Sequence, residues 1–390
     1  MAKPEPRTTL PDRAYFDEDL FRREVDEVFG SAWTLVAHTS ELARPGAFAT
    51  TTVGREPVMV VRGHDGELRA MSNVCRHRAS LIADGFGTAR KAIRCPYHGW
   101  TYRLDGTLAA APQRRGFANL DPKKIRLPAY RVDEMGGLVF ACTDPKTPPL
   151  HEIYADVAPF LESLHMERRN VHRFLSDRRE ALNPWGDRTR AYSPRYSQDF
   201  SANWKTMVEN YQEDYHVPVG HPSLVRLLDI KETDGLDGER GEYSWVPLRT
   251  QPSKRRLERL YQRIARPMPD MPKQFESCWG NMYLWPGTFF EIYPHHVDTW
   301  QLFPQDIGHT RALTLTMVDA GATLQDKLAR YLAQKLQEDV MDEDITLTDR
   351  VKRGLRAPSY HRGILNDKIE SSVIRFHDML LDHIPEENRD

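Results

Sequence analysis

The chain has 390 residues, 40% of them hydrophobic and 28% charged, enough to bury a large core across two domains. A net charge of −2 gives no general attraction to nucleic acid or to an anionic membrane surface, so neither is expected as a partner. No run of about eighteen apolar residues offers a transmembrane span. The opening Met1-Ala2-Lys3-Pro4-Glu5-Pro6 lacks the apolar stretch of a signal peptide, and a cytoplasmic location is expected.

In chain order, residues 17–33 place Phe21, Val25, Val28 and Phe29 at helical spacing between charges, which predicts a helix. From Leu35 to about Thr143 short β-rich runs follow, such as 48–53, 58–61 and 137–141. Turns at His64-Asp65-Gly66 and Asp105-Gly106 break them, which predicts a small antiparallel domain. Pro145, Pro148 and Pro149 mark a linker. Beyond it helices mix with strands, as in an α+β domain, with aromatic-rich strands over 281–293 and 298–303 and a helix from about Leu324.

Two sets of donor side chains stand out. The first is Cys75-Arg76-His77 with Cys95-Pro96-Tyr97-His98. Each pair mixes one thiol with one imidazole, so two loops each offer one ligand to each iron of a [2Fe–2S] centre. Thiolates would hold one iron and imidazoles the other. Zinc sites use the same donor types, but usually as Cys-x-x-Cys followed by a later histidine pair. The pattern reads as a Rieske cluster, a one-electron carrier. The plainer alternative makes the histidines loop residues and the cysteines core hydrophobes. Cys142 and Cys278 remain as reduced core thiols without a disulfide framework.

The second set is Glu209-Asn210-Tyr211-Gln212-Glu213-Asp214-Tyr215-His216, continuing to His221. Residues from Met207 to His216 suit a helix, and Pro218 and Pro222 end any helix near the histidines. Two histidines and one carboxylate on one face of an iron leave open positions, the facial triad of non-haem Fe(II) oxygenases. Alone, H-x-x-x-x-H fits core or surface histidines as well; beside an electron carrier it supplies a destination for electrons. The acidic candidates are Glu338, Asp339, Asp342, Glu343, Asp344 and Asp349.

Together, C-x-H-R, C-P-Y-H-G-W-x-Y and E-N-Y-x-E-x-Y-H-x-x-x-x-H resemble the alpha subunit of Rieske non-haem iron oxygenases, the aromatic-ring-hydroxylating family. The likeness runs from Leu10 to about His377. Ala79 stands where that family usually has Gly, and Arg76 where Pro is common; these departures touch the cluster loops, not the ligation. The resemblance implies a small all-β Rieske domain over 35–145 and a helix-grip-like α+β catalytic domain with an antiparallel sheet over 146–390. Residues 1–34 would pack on the latter. It implies Cys75, His77, Cys95 and His98 as cluster ligands, and His216, His221 and Asp344 as ligands of a mononuclear Fe(II). Asp344 is selected because Glu343-Asp344 precedes Val351-Lys352-Arg353-Gly354-Leu355, where Lys352 replaces the commoner Gln. Glu213 would bridge His216 to His98 of the partner subunit in a head-to-tail ring, most simply a homotrimer, with a small beta subunit as the variant. Asn210 would orient O₂ or water beside the iron. Glu rather than the commoner Asp at 213 resembles the branch acting on quaternary ammonium compounds such as carnitine and choline.

The function so implied is the terminal oxygenase component of a multicomponent system, hydroxylating a small organic substrate by mono- or dioxygenation. No G-x-G-x-x-G motif appears, so electrons would come from a separate NAD(P)H-dependent reductase, directly or through a ferredoxin. Strand aromatics could stack on a ring or cage a trimethylammonium group. Ring oxidation is placed slightly ahead of hydroxylation or N-demethylation of a quaternary amine. A Rieske electron-transfer protein without oxygenase activity is the rival class, but a pure carrier needs no second iron site. The arginine-rich stretch over 167–195 reads as a solvated loop or as a docking surface for an acidic electron donor or a neighbouring subunit.

Overall fold

The computed structural model describes residues 6–171, 196–230, 234–238, 240–321 and 323–388; most of the arginine-rich stretch lies outside the described residues. Two compact units are present: Phe29–Tyr196, and Met1–Val28 together with Ser197–Asp390. In the N-terminal part of the second unit Asp17 caps α1 (Glu18–Arg23), its Oδ1 accepting from the amides of Asp19 and Leu20 at 2.9 and 3.2 Å. A wider π turn over Glu24–Phe29 continues α1.

The unit Phe29–Tyr196 is built from β1 (Thr34–His38), β2 (Ala47–Val53), β3 (Glu56–Arg62), β4 (Leu68–Ser72), β5 (Phe86–Thr88), β6 (Ala92–Arg94), β7 (Thr101–Arg103), β8 (Leu108–Ala110), β9 (Ala129–Met135) and β10 (Leu138–Cys142). Seven of these strands form one sheet in the order β1-β10-β9-β4-β3-β2-β5, and β6-β7-β8 form a small second sheet. The paired strands are antiparallel, as the alternating runs predict. A buried cluster of Met59, Val61, Met71, Ile93, Trp100, Tyr102 and Leu108 also contains Cys75 and Cys95.

The break expected at 145/146 is not where this unit ends. After Pro148 and Pro149 the chain forms α2 (Leu150–Ile153) and α3 (Ala158–Ser163), both against β9. Leu150, Val157, Leu161, Leu164 and Met166 are fully buried, and His38 Nε2 lies 2.8 Å from the Met166 carbonyl oxygen. The prolines stop strand pairing, but the apolar run after them still needs a sheet to cover. A short strand, β11 (Asn170–Val171), closes the described part.

The other unit continues with β12 (Tyr196–Phe200), α4 (Trp204–Tyr211), α5 (Val217–Gly220), α6 (Pro222–Leu227), β13 (Asp234–Asp237), β14 (Gly241–Pro247), α7 (Arg256–Ile264), β15 (Cys278–Leu284), β16 (Thr288–Tyr293), β17 (His296–Asp306), β18 (His309–Val318), α8 (Leu324–Gly354) and α9 (Ser371–His383). Its antiparallel sheet runs β18-β17-β16-β15-β14-β13, with β12 also paired to β18. The aromatic run over 281–293 is therefore a hairpin, not one strand. It breaks at Trp285-Pro286-Gly287, where proline removes a ladder donor. Thr323 caps α8 through a capping box with Asp326. One face of the sheet meets α4, whose Tyr211 ring lies 4.4 Å from that of Phe289 and whose Tyr211 Oη donates to the Phe290 carbonyl at 2.6 Å. The same face meets α8, whose Gln337 Nε2 donates to Glu291 Oε2 at 2.5 Å.

Candidate metal centres

The first donor set sits on two matching loops. The loop after β4 carries Cys75 and His77, and the loop from β6 to β7 carries Cys95 and His98. In each, the fifth residue returns its amide to the cysteine carbonyl: Ala79 to Cys75 and Gly99 to Cys95, both at 3.1 Å. Both fifth residues are left-handed, with φ of 56° at Ala79 and 73° at Gly99. Glycine fits this geometry freely, whereas alanine at 79 adopts it at a cost of about 1 kcal/mol. At Gly99 a Cβ would lie 2.8 Å from the Arg94 guanidinium.

The two thiols are buried, while the His77 and His98 rings are half-buried, 4.6 Å apart and nearly perpendicular. Sulfur donors inside and nitrogen donors outside match the unequal halves of a Rieske centre. Tyr102 Oη lies 3.3 Å from Cys75 Sγ and accepts from the Arg76 amide at 2.9 Å, tying this loop to β7. Trp100 stacks on His77 at 5.1 Å. The chemistry of the four donors fits a [2Fe–2S] cluster.

The second set converges in three dimensions. His216 Nε2 and His221 Nε2 are 3.0 Å apart; Asp344 Oδ1 is 3.0 Å from the second and 3.8 Å from the first. Donors about 2.1 Å from one metal and about 90° apart would be about 3.0 Å from each other; two edges of the triangle have that length, and the third, at 3.8 Å, is wider than in an ideal facial triad. Among the described residues this is the only such group of three metal-binding donors. His221 is buried, and His216 and Asp344 are half-buried.

Each of these three donors is held by a further side chain. Glu213 Oε1 lies 2.5 Å from His216 Nδ1, and its Oε2 accepts the His216 amide at 3.0 Å. Glu343 Oε2 lies 2.9 Å from His221 Nδ1 and accepts from Ser223 Oγ at 2.8 Å. Asn210 Nδ2 donates to Asp344 Oδ1 at 2.8 Å, which holds that carboxylate beside the two histidines. Burial disfavours a charged His221, yet Asp344 and Glu343 outweigh it and raise its pKa, a field that suits a cation at this point.

Two sequence expectations change here. Glu213 is not one helical turn before His216, because α4 ends at Tyr211. Its carboxylate instead takes the His216 N–H where the chain starts α5. Glu343 was expected only as a rival ligand; one position along α8 turns it toward His221 Nδ1. Its signal in the sequence was no more than an acidic neighbour of Asp344.

Beside Glu213 a cavity of about 470 Å³ is lined by four tyrosines, Tyr211, Tyr215, Tyr243 and Tyr283, and by Asp214 and Glu242. Burial, then the charge of Glu213, raises the Asp214 pKa. Glu242 is paired with Arg375 at 2.7 Å, and Lys368 is the basic residue of the lining.

Residues 32–130 match the family described as Rieske [2Fe-2S] domain, and residues 187–386 match ring hydroxylating alpha subunit (catalytic domain). The chain belongs to the Rieske oxygenase alpha subunits. In this family the Rieske domain carries a [2Fe–2S] cluster and the catalytic domain a mononuclear iron. Over 390 residues the chain is 28% identical to the carnitine monooxygenase oxygenase subunit of Escherichia coli K12, covering 97% of this chain and 94% of that one. It is 27% identical to the glycine betaine monooxygenase oxygenase subunit of Pseudomonas aeruginosa PAO1, covering 95% and 87%. It is 27% identical to a chloroplastic choline monooxygenase of Beta vulgaris, covering 96% and 76%. The fold matches a quaternary ammonium Rieske monooxygenase with a TM-score of 0.79 at 24% identity, covering 98% and 96% of the two chains. It also matches naphthalene 1,2-dioxygenase with a TM-score of 0.72 at 20% identity, covering 97% and 93%. No helix among the described residues is long and apolar enough to cross a membrane.

Proposed function

We propose that this chain is a terminal oxygenase that hydroxylates a small quaternary ammonium compound. The observation that carries the reading is the cavity beside Glu213, lined together by four tyrosines and Asp214. Tyrosine faces attract a trimethylammonium group by cation–π interaction, and a carboxylate adds charge complementarity. A neutral aromatic hydrocarbon gains nothing from Asp214. The relatives named for carnitine, glycine betaine and choline support the same choice, so the amine reading moves ahead of ring oxidation.

In this reading Cys75, His77, Cys95 and His98 hold the cluster, and His216, His221 and Asp344 hold the iron. When bound, these groups supply electron delivery and the binding and activation of O₂. The protein's own work is positional. By accepting from Nδ1–H, Glu213 and Glu343 leave the Nε2 lone pairs of His216 and His221 directed at one point. Asn210 holds Asp344 Oδ1 toward that point. Each oxygen of Glu213 keeps a further lone pair, so it can also accept from His98 of the partner subunit in a head-to-tail homotrimer. A separate reductase, with or without a ferredoxin, supplies the electrons.

The test reconstitutes the enzyme with a generic reductase and measures O₂ uptake together with product mass. Choline, glycine betaine and carnitine are compared with naphthalene. At least one amine should be hydroxylated with coupled O₂ consumption. Oxygenated naphthalene with no amine product would replace this reading by ring oxidation.

A further inference from the structure

The unit that carries Cys75 and Cys95 concentrates positive charge in one stretch. Residues 76–126 hold eleven arginines and lysines against three aspartates, a balance of +8 in a chain whose net charge is −2. All eleven basic residues are exposed. Among the described residues ten of them make no ion pair, and the eleventh, Arg126, reaches Asp105 only at 4.0 Å. Like charges gathered on one surface repel one another, but they also raise the local concentration of an anionic partner.

The fold brings part of this charge to one cluster ligand. After β8 the chain makes a short turn at Arg114–Gly116, passes Phe117, and makes a second turn at Pro122–Lys124. It then returns to β8, where the Leu108 amide donates to the Ile125 carbonyl at 3.0 Å. Phe117 is the residue by which this loop packs on the cysteine-bearing core. Its ring meets the His77 ring edge-on at 5.9 Å and the Trp100 ring at 5.8 Å, and Trp100 stacks on His77 at 5.1 Å. Arg114, Arg115, Lys123 and Lys124 on the same loop are exposed. The His98 ring has a different neighbour, Tyr97 at 3.7 Å, and stands at 75° to the His77 ring.

We infer that the loop over residues 111–126 is the docking surface for an acidic one-electron iron–sulfur carrier protein, and that electrons enter on the His77 side. The inference goes beyond the proposed reaction. It rests on electron delivery by a separate protein and on His98 as the outgoing ligand, not on the amine substrate. His98 faces the partner subunit in the proposed trimer, which leaves His77 for the donor. The thiols are buried and the imidazoles half-buried, so the histidine side is where a carrier comes nearest the irons. One electron leaves the carrier's cluster, which is oxidised, and reduces the cluster held by Cys75, His77, Cys95 and His98; no bond is made or broken. Opposite charge speeds and orients the encounter, and arginines beside an aromatic ring suit a contact that must soon be released.

The probe is a reduced plant-type [2Fe–2S] ferredoxin, mixed with the holoenzyme by stopped flow while the Rieske absorption is followed. Reduced methyl viologen, a small cation that needs no docking surface, is the control reductant. Calorimetry with the oxidised ferredoxin reads docking alone. In wild type the ferredoxin rate should fall about tenfold or more between about 0.01 and about 1 M salt, as the screening length shrinks from about 30 to about 3 Å. Arg114→Glu with Arg115→Glu should lower that rate and weaken binding at low salt by about tenfold or more. The cluster spectrum should be unchanged and the viologen rate no slower. Arg114→Gln with Arg115→Gln should lose less in the same direction, which keeps the test readable if the reversal disturbs the loop. A salt-independent wild-type rate, or wild-type binding and reduction in both double variants, would overturn the docking surface. So would a loss that follows dissociation of the oligomer in sedimentation, which would give the loop to a second copy of the chain. Wild type that binds a DNA duplex and not the ferredoxin would overturn it as well. Reduction through this loop without turnover of any amine would sink the amine reading and leave the inference standing. Amine turnover with unaltered reduction in the variants would do the reverse.

Discussion

Glu213 is the residue whose chemistry reaches furthest. Its two oxygens hold both the ring and the backbone of His216, so the imidazole orientation depends on it. Glu213→Gln keeps the size but loses the charge. Both metal centres should assemble and the cluster should still accept electrons, while product formation falls by about tenfold or more. Single turnover with a pre-reduced cluster, followed through its reoxidation with substrate and O₂, reads this directly. Reoxidation at the wild-type rate would mean that the residue only braces the loop and that electrons travel another way.

At the scale of an element, α8 does two jobs from adjacent positions. Asp344 faces the two Nε2 atoms and Glu343 faces His221 Nδ1, since neighbouring helix residues point about 100° apart. Replacing Glu343 by Gln should leave the Rieske spectrum untouched, because that cluster is built on other loops. Iron affinity at the triad should fall by about ten- to a hundredfold, as His221 loses the acceptor that fixes its tautomer. Iron titration of the apo-enzyme measures it, and full affinity in Glu343→Gln would return Glu343 to a solvated helix face. The element scale also explains why the helix expected through His216 stops early. Glu213 competes for the His216 amide, and a side chain that takes a backbone donor starts a new turn in place of the old ladder.

At the scale of the whole molecule, the first and last described segments of the chain meet inside the iron-bearing unit. Lys205 of α4 is fully buried and paired with Glu24, which also accepts from Trp204 Nε1. Arg13 donates to the Glu386 carbonyl at 2.8 Å, and Glu387 is fully buried. Burial raises the Glu387 carboxyl from 4.5 to about 9, with Lys205 opposing and Glu24 reinforcing the shift. The folded state thus holds a proton that the unfolded state releases. Its contribution is complete below the unfolded pKa and is lost as pH rises through the folded one, so stability should fall between about pH 5 and about pH 9. Glu387→Gln should flatten that fall. Denaturant melts across this range test it, and equal slopes for variant and wild type would place the proton elsewhere.

Both donor sets were legible in the sequence because metal chemistry is local there. Cys75 with His77, Cys95 with His98, and His216 with His221 are each no more than five residues apart, and a donor type at a set spacing needs no distant contact to declare itself. Antiparallel domains were legible for a similar reason, since alternation and turn residues act over a few positions. Distance along the chain marks where this stopped. Asp344 lies over 120 residues beyond His221, and motif alignment rather than periodicity singled it out from five other acids. Only the packing of α8 separated its role from that of Glu343. The end of the first unit was hidden by prolines that end strands without ending a fold. The cross-strand pairing of Glu291 with Asp298 was out of reach altogether. Glu291 and Asp298 look like ordinary surface acids until strand register sets them face to face, and register is a property of the assembled sheet.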